Sequence, residues 1–472
     1  MSKTVGLWAL CWALGCGGAA MSARPAGGGG ARAPGVRSVR PAPAPSGEAM
    51  AVTGVGSVAA PASPGVRRHA QPSAASPPAA PSLDAAAAAG GVMTTTTTVT
   101  VTVETPPPPP VESSPQPYEP TARVLTAASV GDHDRRGNYL EYLARHGHEA
   151  RRFGLDLGRR VRFRVVDAQR RPINDARVWV SVGGRTVEGR THADGVWDFF
   201  PGVSVPWAQD AARVRVVAAG AQAELRVPLP VRGDGQDVTL RLETAQSERP
   251  RVLDLAFLID VTGSMEDELR YVNAEVADIV ARVQREAPEV QVRVGAVFYR
   301  DRTDSVPLQR IAFTHDVQAF AAAMGGVRAF GGGDYPEDLD AGLHEAMRGL
   351  RWSEGNAVRV LVVIADAPPQ RYATQYGYRQ AMAEAAARGI RLLPVAASGA
   401  NREVEFLFRA MGSFTSTPYV YLTDDSGVGR PHLEADTDRV AVEYFNDLLR
   451  RLMVSDVAGW GMHEPGALGA ER

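Results

Sequence analysis

Three oxygen-bearing side chains at alternate positions, Asp260, Thr262 and Ser264, stand where a long apolar run ends. Oxygens so spaced in a loop suit a hard divalent cation, because Mg²⁺ takes an octahedron of oxygen ligands and keeps part of its water. One carboxylate is too little charge for such an ion. Two more stand at comparable points, Asp334 within AFGGGDYPEDL and Asp366 at the end of VRVLVVIADAPP. Taken singly, each acid also reads as a turn or helix cap, and Ser264 could N-cap the helix that follows it.

The elements that must position these groups follow from periodicity. Residues 252–259 form an apolar run that reads as a strand buried on both faces. After the oxygen-rich turn, Leu269, Val272, Val276, Ile279 and Val283 recur at helical spacing. A strand in VQVRVGAVFY, an antiparallel edge strand in PLQRIAFT and a short helix in VQAFAAAMGGV follow. Beyond the glycine run come a helix through His344, the strand ending at Asp366, the helix RQAMAEAAARG, strands RLLPVAA and PYVYL, and a last helix in DRVAVEYFNDLLRRLM. Such alternation predicts an α/β fold, doubly wound around a mostly parallel sheet. In a parallel sheet Asp260, Asp334 and Asp366 share the rim at the strand carboxyl ends, where such folds keep their sites. Gly331, Gly332 and Gly333 would let the backbone approach an ion closely. Glu337 and Asp338 read as the start of the next helix, where acids suit the positive end of the dipole, with a general-base role as the alternative. His344 reads as an ordinary helix residue.

DVTGS (260–264), GGGDYPED (331–338) and VIADAPP (363–369), in that order, resemble a von Willebrand factor type A domain covering residues 251–456. The resemblance implies a metal-ion-dependent adhesion site in which Asp260, Thr262, Ser264 and Asp366 coordinate the ion. Its middle motif departs from the pattern of many members, which place a threonine ligand there. This chain offers Asp334 instead, as in the subgroup resembling hemicentin and alpha-kinase A domains, so the ligand count stays open. Mg²⁺ is the expected ion, with Mn²⁺ or Ca²⁺ as alternatives. In the resembled family an acidic group of a partner fills the open coordination position, and a protein or extracellular polymer is the expected partner.

The amino terminus reads as an export signal. Lys3 precedes the ten-residue apolar run GLWALCWALG, too short to span a bilayer. Ala13-Leu14-Gly15 then lead to Cys16 in a pattern resembling the lipobox of bacterial lipoproteins, which implies cleavage after residue 15, lipidation of Cys16 and attachment to a membrane by that lipid alone. The alternative is an ordinary secretory signal cut further on. Gly17 in place of a retention aspartate points to the outer membrane of the cell envelope. Residues 16–121 are rich in Ala, Gly, Pro and Thr, cannot bury enough to offset their ordering entropy, and read as a disordered or polyproline-like tether. Their reach as a flexible chain is roughly 50 to 60 Å.

Residues 122–158 read as a polar helical segment whose Tyr139, Tyr142 and Leu143 share a face that packs on the next domain. His133, Asp134, His146 and His148 within it match the spacing of no closed zinc site. Residues 159–245 alternate apolar and polar over short runs, as in a small antiparallel β-sandwich. VVDAQRRPINDARVWV and RTHADGVWDF resemble the carboxypeptidase-regulatory-like, transthyretin-type sandwich, which implies a spacer or binding platform. Residues 457–472 read as a flexible tail.

Net charge is −2, which implies no strong pull toward nucleic acid, and no nucleic-acid partner is expected; Lys3 is the only lysine, with arginine supplying the rest of the basic residues. No HExxH, phosphate-cradling glycine loop or Gly-x-Ser-x-Gly elbow occurs, so a binding module is expected rather than an enzyme. The alternatives are a structural subunit of an envelope complex with a metal-independent interface and, behind it, a metal-dependent hydrolase.

Overall fold

The computed structural model describes residues 125–204, 211–229, 235–427, 429 and 431–465. The leader, Cys16 and the tether lie outside these residues. In chain order the described part runs β1 (Thr126–Val130), α1 (Arg136–Arg145), α2 (Gly147–Phe153), β2 (Val161–Asp167), β3 (Arg177–Val182), β4 (Arg185–Arg190), β5 (Val196–Phe199), α3 (Pro201–Ser204), β6 (Ala211–Ala218), β7 (Ala221–Pro228) and β8 (Gln236–Leu242). It continues with β9 (Val252–Asp260), α4 (Glu266–Glu286), β10 (Gln291–Tyr299), β11 (Leu308–Thr314), α5 (Val317–Gly325), α6 (Leu339–Arg348), β12 (Val358–Ala365), α7 (Tyr378–Arg388), β13 (Ile390–Ala396), α8 (Arg402–Phe414), β14 (Tyr419–Leu422), β15 (Val442–Tyr444) and α9 (Phe445–Val457).

The main sheet has eight strands in the order β11-β10-β9-β12-β13-β14-β1-β15. From β10 to β14 neighbouring strands are parallel, and β11 pairs antiparallel at one edge. The continuous apolar runs are explained by burial on both sides, with α4, α5 and α9 on one face and α6, α7 and α8 on the other. Asp254 is the exception inside β9. It is buried, but Arg293 Nε and Nη2 donate to its two oxygens at 2.8 and 2.7 Å, so its charge is paired bidentately.

Two parts of this sheet come from stretches read differently in the sequence. β1 opens the segment expected to be helical, and it inserts antiparallel between β14 and β15, pairing Ala128 with Tyr421 and with Val442. The last helix starts later than its periodicity suggested, because Val442–Tyr444 is drawn out as the edge strand beside β1. Both strands are too short to carry a periodic signal of their own.

The intervening residues form a three-stranded sheet, β5-β2-β8, and a four-stranded sheet, β4-β3-β6-β7. The strands pair antiparallel except for β2 with β8, which run parallel. This unit is not set apart from the main sheet, since one continuous apolar core runs from Phe163 and Trp197 to Phe414. Charged pairs cross the same boundary. Arg391 is 1 % exposed and binds Asp194 at 3.1 Å and Asp456 at 3.0 Å, while Ser416 Oγ donates to Asp198 at 2.8 Å. Tyr139 and Tyr142 are buried as expected of a packing face, but Tyr142 packs on the main unit. Its ring stacks on Phe406 of α8, and the Arg409 guanidinium lies 3.6 Å from its centroid.

Candidate metal site at the sheet rim

β9 ends on Asp260, and the chain then turns through Thr262 and Ser264 into α4. The Thr262 amide and hydroxyl both donate to Asp260 Oδ1, at 2.9 and 2.8 Å, and Thr262 Oγ1 lies 3.3 Å from Ser264 Oγ. The three side chains are therefore one hydrogen-bonded group. Ser264 does not cap α4, whose N-cap is Met265 with no side-chain cap bond. Asp260 Oδ2 is buried with no hydrogen-bond partner.

Asp366 follows directly on β12, the neighbour of β9, and its charge raises the Asp260 carboxyl above the usual carboxylate range, second only to burial. Glu337 joins them. Its backbone is zipped to the segment after Asp366, with the Glu337 amide donating to Pro368 at 3.1 Å and the Gln370 amide donating to Glu337 at 2.7 Å. Its side chain is 3 % exposed and its Oε2 has no hydrogen-bond partner. Burial, then the charges of Asp260, Asp301, Asp304 and Asp366, push its carboxyl up to about 9. The Tyr299 hydroxyl is buried beside the same acids and held well above its ordinary value, by burial first.

Gly331 and Gly332 carry φ of +81° and +75°, and a Cβ on Gly332 would sit 2.9 Å from Glu337 Oε1 and 3.3 Å from Thr262 Cβ. Only glycine fits that backbone so close to the acids. The Gly332 amide donates to Asp304 at 3.1 Å, and buried Arg300 holds the loop from below by donating to the carbonyls of Val306, Arg328 and Phe330.

Asp334 is placed differently. It is exposed, accepts from Gln370 Nε2 at 2.8 Å, and is not among the charges that shift Asp260 or Glu337. The structure thus brings together Asp260, Thr262, Ser264 and Asp366, and places Glu337, Asp301 and Asp304 with them where sequence reasoning had put Asp334. The signal for Asp301 and Asp304 was present, since they follow the apolar run of β10 as Asp260 follows β9. His344 lies outside this group, edge-on to Tyr376 with ring centroids 4.8 Å apart.

The donor set fits a hard cation. Several carboxylates share one buried place, two of their oxygens are unbonded there, and the nearby Arg300 guanidinium spends its hydrogen bonds on the carbonyls of Val306, Arg328 and Phe330. Concentrated negative charge of this kind is costly without a positive partner.

Residues 254–427 match the family model described as von Willebrand factor A domain. The chain contains an A domain. Such a domain points to a role in protein interaction or adhesion. Two curated proteins are similar over part of the chain. The alpha-protein kinase vwkA of Dictyostelium discoideum is 27 % identical over 117 residues, 25 % of this chain and 18 % of that protein. An ariadne-like RING finger protein of Acanthamoeba polyphaga mimivirus is 32 % identical over 118 residues, again 25 % of this chain and 11 % of that one. The chain thus spans less than a fifth of the length of either relative. Among solved structures, proximal thread matrix protein 1 from the mussel byssus aligns at 15 % identity with a TM-score of 0.30, over 44 % of this chain and 46 % of that one. The pilus adhesin SpaC from Lactobacillus rhamnosus GG, in its open conformation, aligns at 12 % identity and 0.30, over 53 % and 32 %. At those scores neither likeness carries weight for function.

Proposed function

We propose that the A domain is a cation-dependent binding module that captures an acidic group of a protein or polymer partner. The observation that carries this reading is the buried, unbonded Asp260 Oδ2 held beside the Thr262 and Ser264 hydroxyls and within reach of the Asp366 and Glu337 charges. Asp260, Thr262, Ser264 and Asp366 would hold the ion, with Glu337 completing the charge balance. Mg²⁺, or Mn²⁺ or Ca²⁺ in its place, would supply a positive centre with an open oxygen position. Phe330 and Tyr335, 40 % and 42 % exposed on either side of the glycine run, would offer a partner apolar surface around that centre. Asp334 stands on the exposed part of the same loop and suits an outer or water-mediated role. Binding rather than turnover is the function assigned.

The expected setting is a cell envelope. With Cys16 as the lipidated residue and residues 17–121 as a tether, the rim would be held away from an outer membrane. Among the described residues no helix is long and apolar enough to cross a membrane.

The test is a thermal melt in Mg²⁺ and in chelator, with wild type beside Asp260→Ala, followed by capture on carboxylate-bearing beads. A ligand that binds only the folded state raises its melting temperature by mass action. Wild type should show a Mg²⁺-dependent rise and chelator-sensitive capture, both lost in Asp260→Ala. Capture that survives chelation and the substitution would replace this reading with a fixed, metal-independent interface. The mass of protein extracted from membranes, compared with Cys16→Ala, tests the anchor: identical unlipidated masses would remove it.

A further inference from the structure

A second cluster of ligand-type side chains lies away from the A-domain rim, where the two ends of the described chain meet. Of the histidines in residues 122–158, His146 faces Asp436 at 3.3 Å and His148 is exposed. His133 and Asp134 instead meet His463, from beyond α9, and the donor atoms of the three lie within 4.8 Å of one another. His133 Nε2 is 3.4 Å from Asp134 Oδ1, and His463 Nδ1 is 2.8 Å from Asp134 Oδ2. The two imidazole centroids are 5.8 Å apart. Two imidazoles bound to one tetrahedral ion at metal–nitrogen distances of about 2.0 Å have centroids roughly 5 to 6 Å apart.

The other bonds of the rings decide which nitrogen of each could ligate. His463 Nε2 lies 2.6 Å from the Trp460 carbonyl and donates its proton there, so Nδ1 is the nitrogen turned to Asp134, where a cation would displace the proton shared with that carboxylate. His133 is 2 % exposed, with Nε2, the nitrogen nearer Asp134, 2.7 Å from the Met462 carbonyl and Nδ1 buried without a hydrogen-bond partner, so Nδ1 is the nitrogen free to ligate. Two imidazoles and one carboxylate suit zinc rather than magnesium, which prefers oxygen alone.

We propose that His133, Asp134 and His463 form a site for Zn²⁺, or a cation of that class, that fastens the carboxyl-terminal segment onto the loop after β1. Direct bonds already join the same pieces: Gly131 N and Arg135 Nη2 both donate to Glu464 Oε1, and Arg451 Nη1 donates to the His463 carbonyl at 2.7 Å. The ion adds a closure that does not depend on the A-domain rim.

The full chain, stripped with chelator and held in excess Mg²⁺ to occupy the rim, would be titrated with ZnCl₂. Bound zinc is measured by equilibrium dialysis with elemental analysis, alongside the melting temperature. Wild type and Asp260→Ala should each bind one zinc per chain and melt higher with it. His463→Gln, at a partly exposed position that can keep a hydrogen bond to Asp134, should bind at least tenfold more weakly while remaining folded by circular dichroism, and His133→Gln likewise. Zinc at background level in wild type, unchanged binding in a folded His463→Gln, or loss of binding in Asp260→Ala would each overturn the proposal. The first would leave a hydrogen-bonded clasp; the last would move the zinc to the rim.

Discussion

Glu337 and Asp338 are adjacent in sequence and opposite in fate. Asp338 behaves as local rules predict, capping α6 by accepting from the Ala341 amide and pairing with Arg302 at 2.7 Å. Glu337 turns inward, because its backbone pairs with Pro368 and Gln370, a contact between two loops that neither periodicity nor capping rules describe. Asp260, Thr262 and Ser264 were legible because they are local to one turn; the exchange of Glu337 for Asp334 was not, because it depends on which way a glycine-rich loop folds back. If Glu337 helps balance the ion, Glu337→Gln should weaken Mg²⁺ about tenfold and leave the melting temperature in chelator at neutral pH little changed, because its raised carboxyl is already neutral there. Melts across a Mg²⁺ series check this, and an unchanged Mg²⁺ dependence would show that Glu337 serves packing alone.

Among the elements, the parallel strands and their helices were readable from continuous apolar runs and helical spacing. β1 was not: TAASV is five residues long and carries no alternation. Its entry is fixed by a side chain instead. Buried Glu275 of α4 accepts from the Leu125 amide at 3.0 Å, and burial pushes its carboxyl up to about 7, with Asp278 raising it and Arg282 lowering it. A carboxyl raised on folding contributes stability at low pH that is lost as pH rises from its unfolded value, near 4.5, towards 7. Glu275→Gln keeps the acceptor and removes the charge, so it should flatten that part of the pH profile and stabilise the protein at pH 8 by on the order of 2 kcal/mol. Denaturant melts at pH 5 and 8 read the difference. Equal pH dependence in mutant and wild type would show that Glu275 does not titrate in this range.

At the scale of the whole molecule, the main sheet and its buried arginines draw partners from outside residues 251–456. A fragment of residues 251–456 loses β1 from the sheet, Asp194 from Arg391, and Asp132 from Arg409, whose Nε and Nη2 bind that carboxylate at 2.8 and 2.7 Å. Arg391 keeps Asp456 and Arg409 keeps Glu405 within the fragment, so neither cation is left bare, but each loses part of the pairing that offsets its burial while the sheet loses β1 from between β14 and β15. The fragment should be protease-sensitive and lack a cooperative melt, whereas residues 122–472 should show both resistance and cooperativity. A fragment melting within a few degrees of the longer chain would refute that dependence. Sequence patterns marked the change of strand type near residue 245 but not the charge pairs across it, which join residues hundreds of positions apart.

The position of β1 also orders events in time. Thr126 and Thr423, joined by a hydroxyl contact of 2.8 Å, are 297 residues apart. At about 5–20 residues per second of synthesis, the first strand of the sheet waits roughly 15 to 60 s for its partners to exist. During that interval β1 and the tyrosines of α1 have nowhere native to go, and closing so long a loop must precede any reward from the contacts it makes. Whatever escorts the nascent chain has to keep β1 unpaired until β14 and β15 have been added.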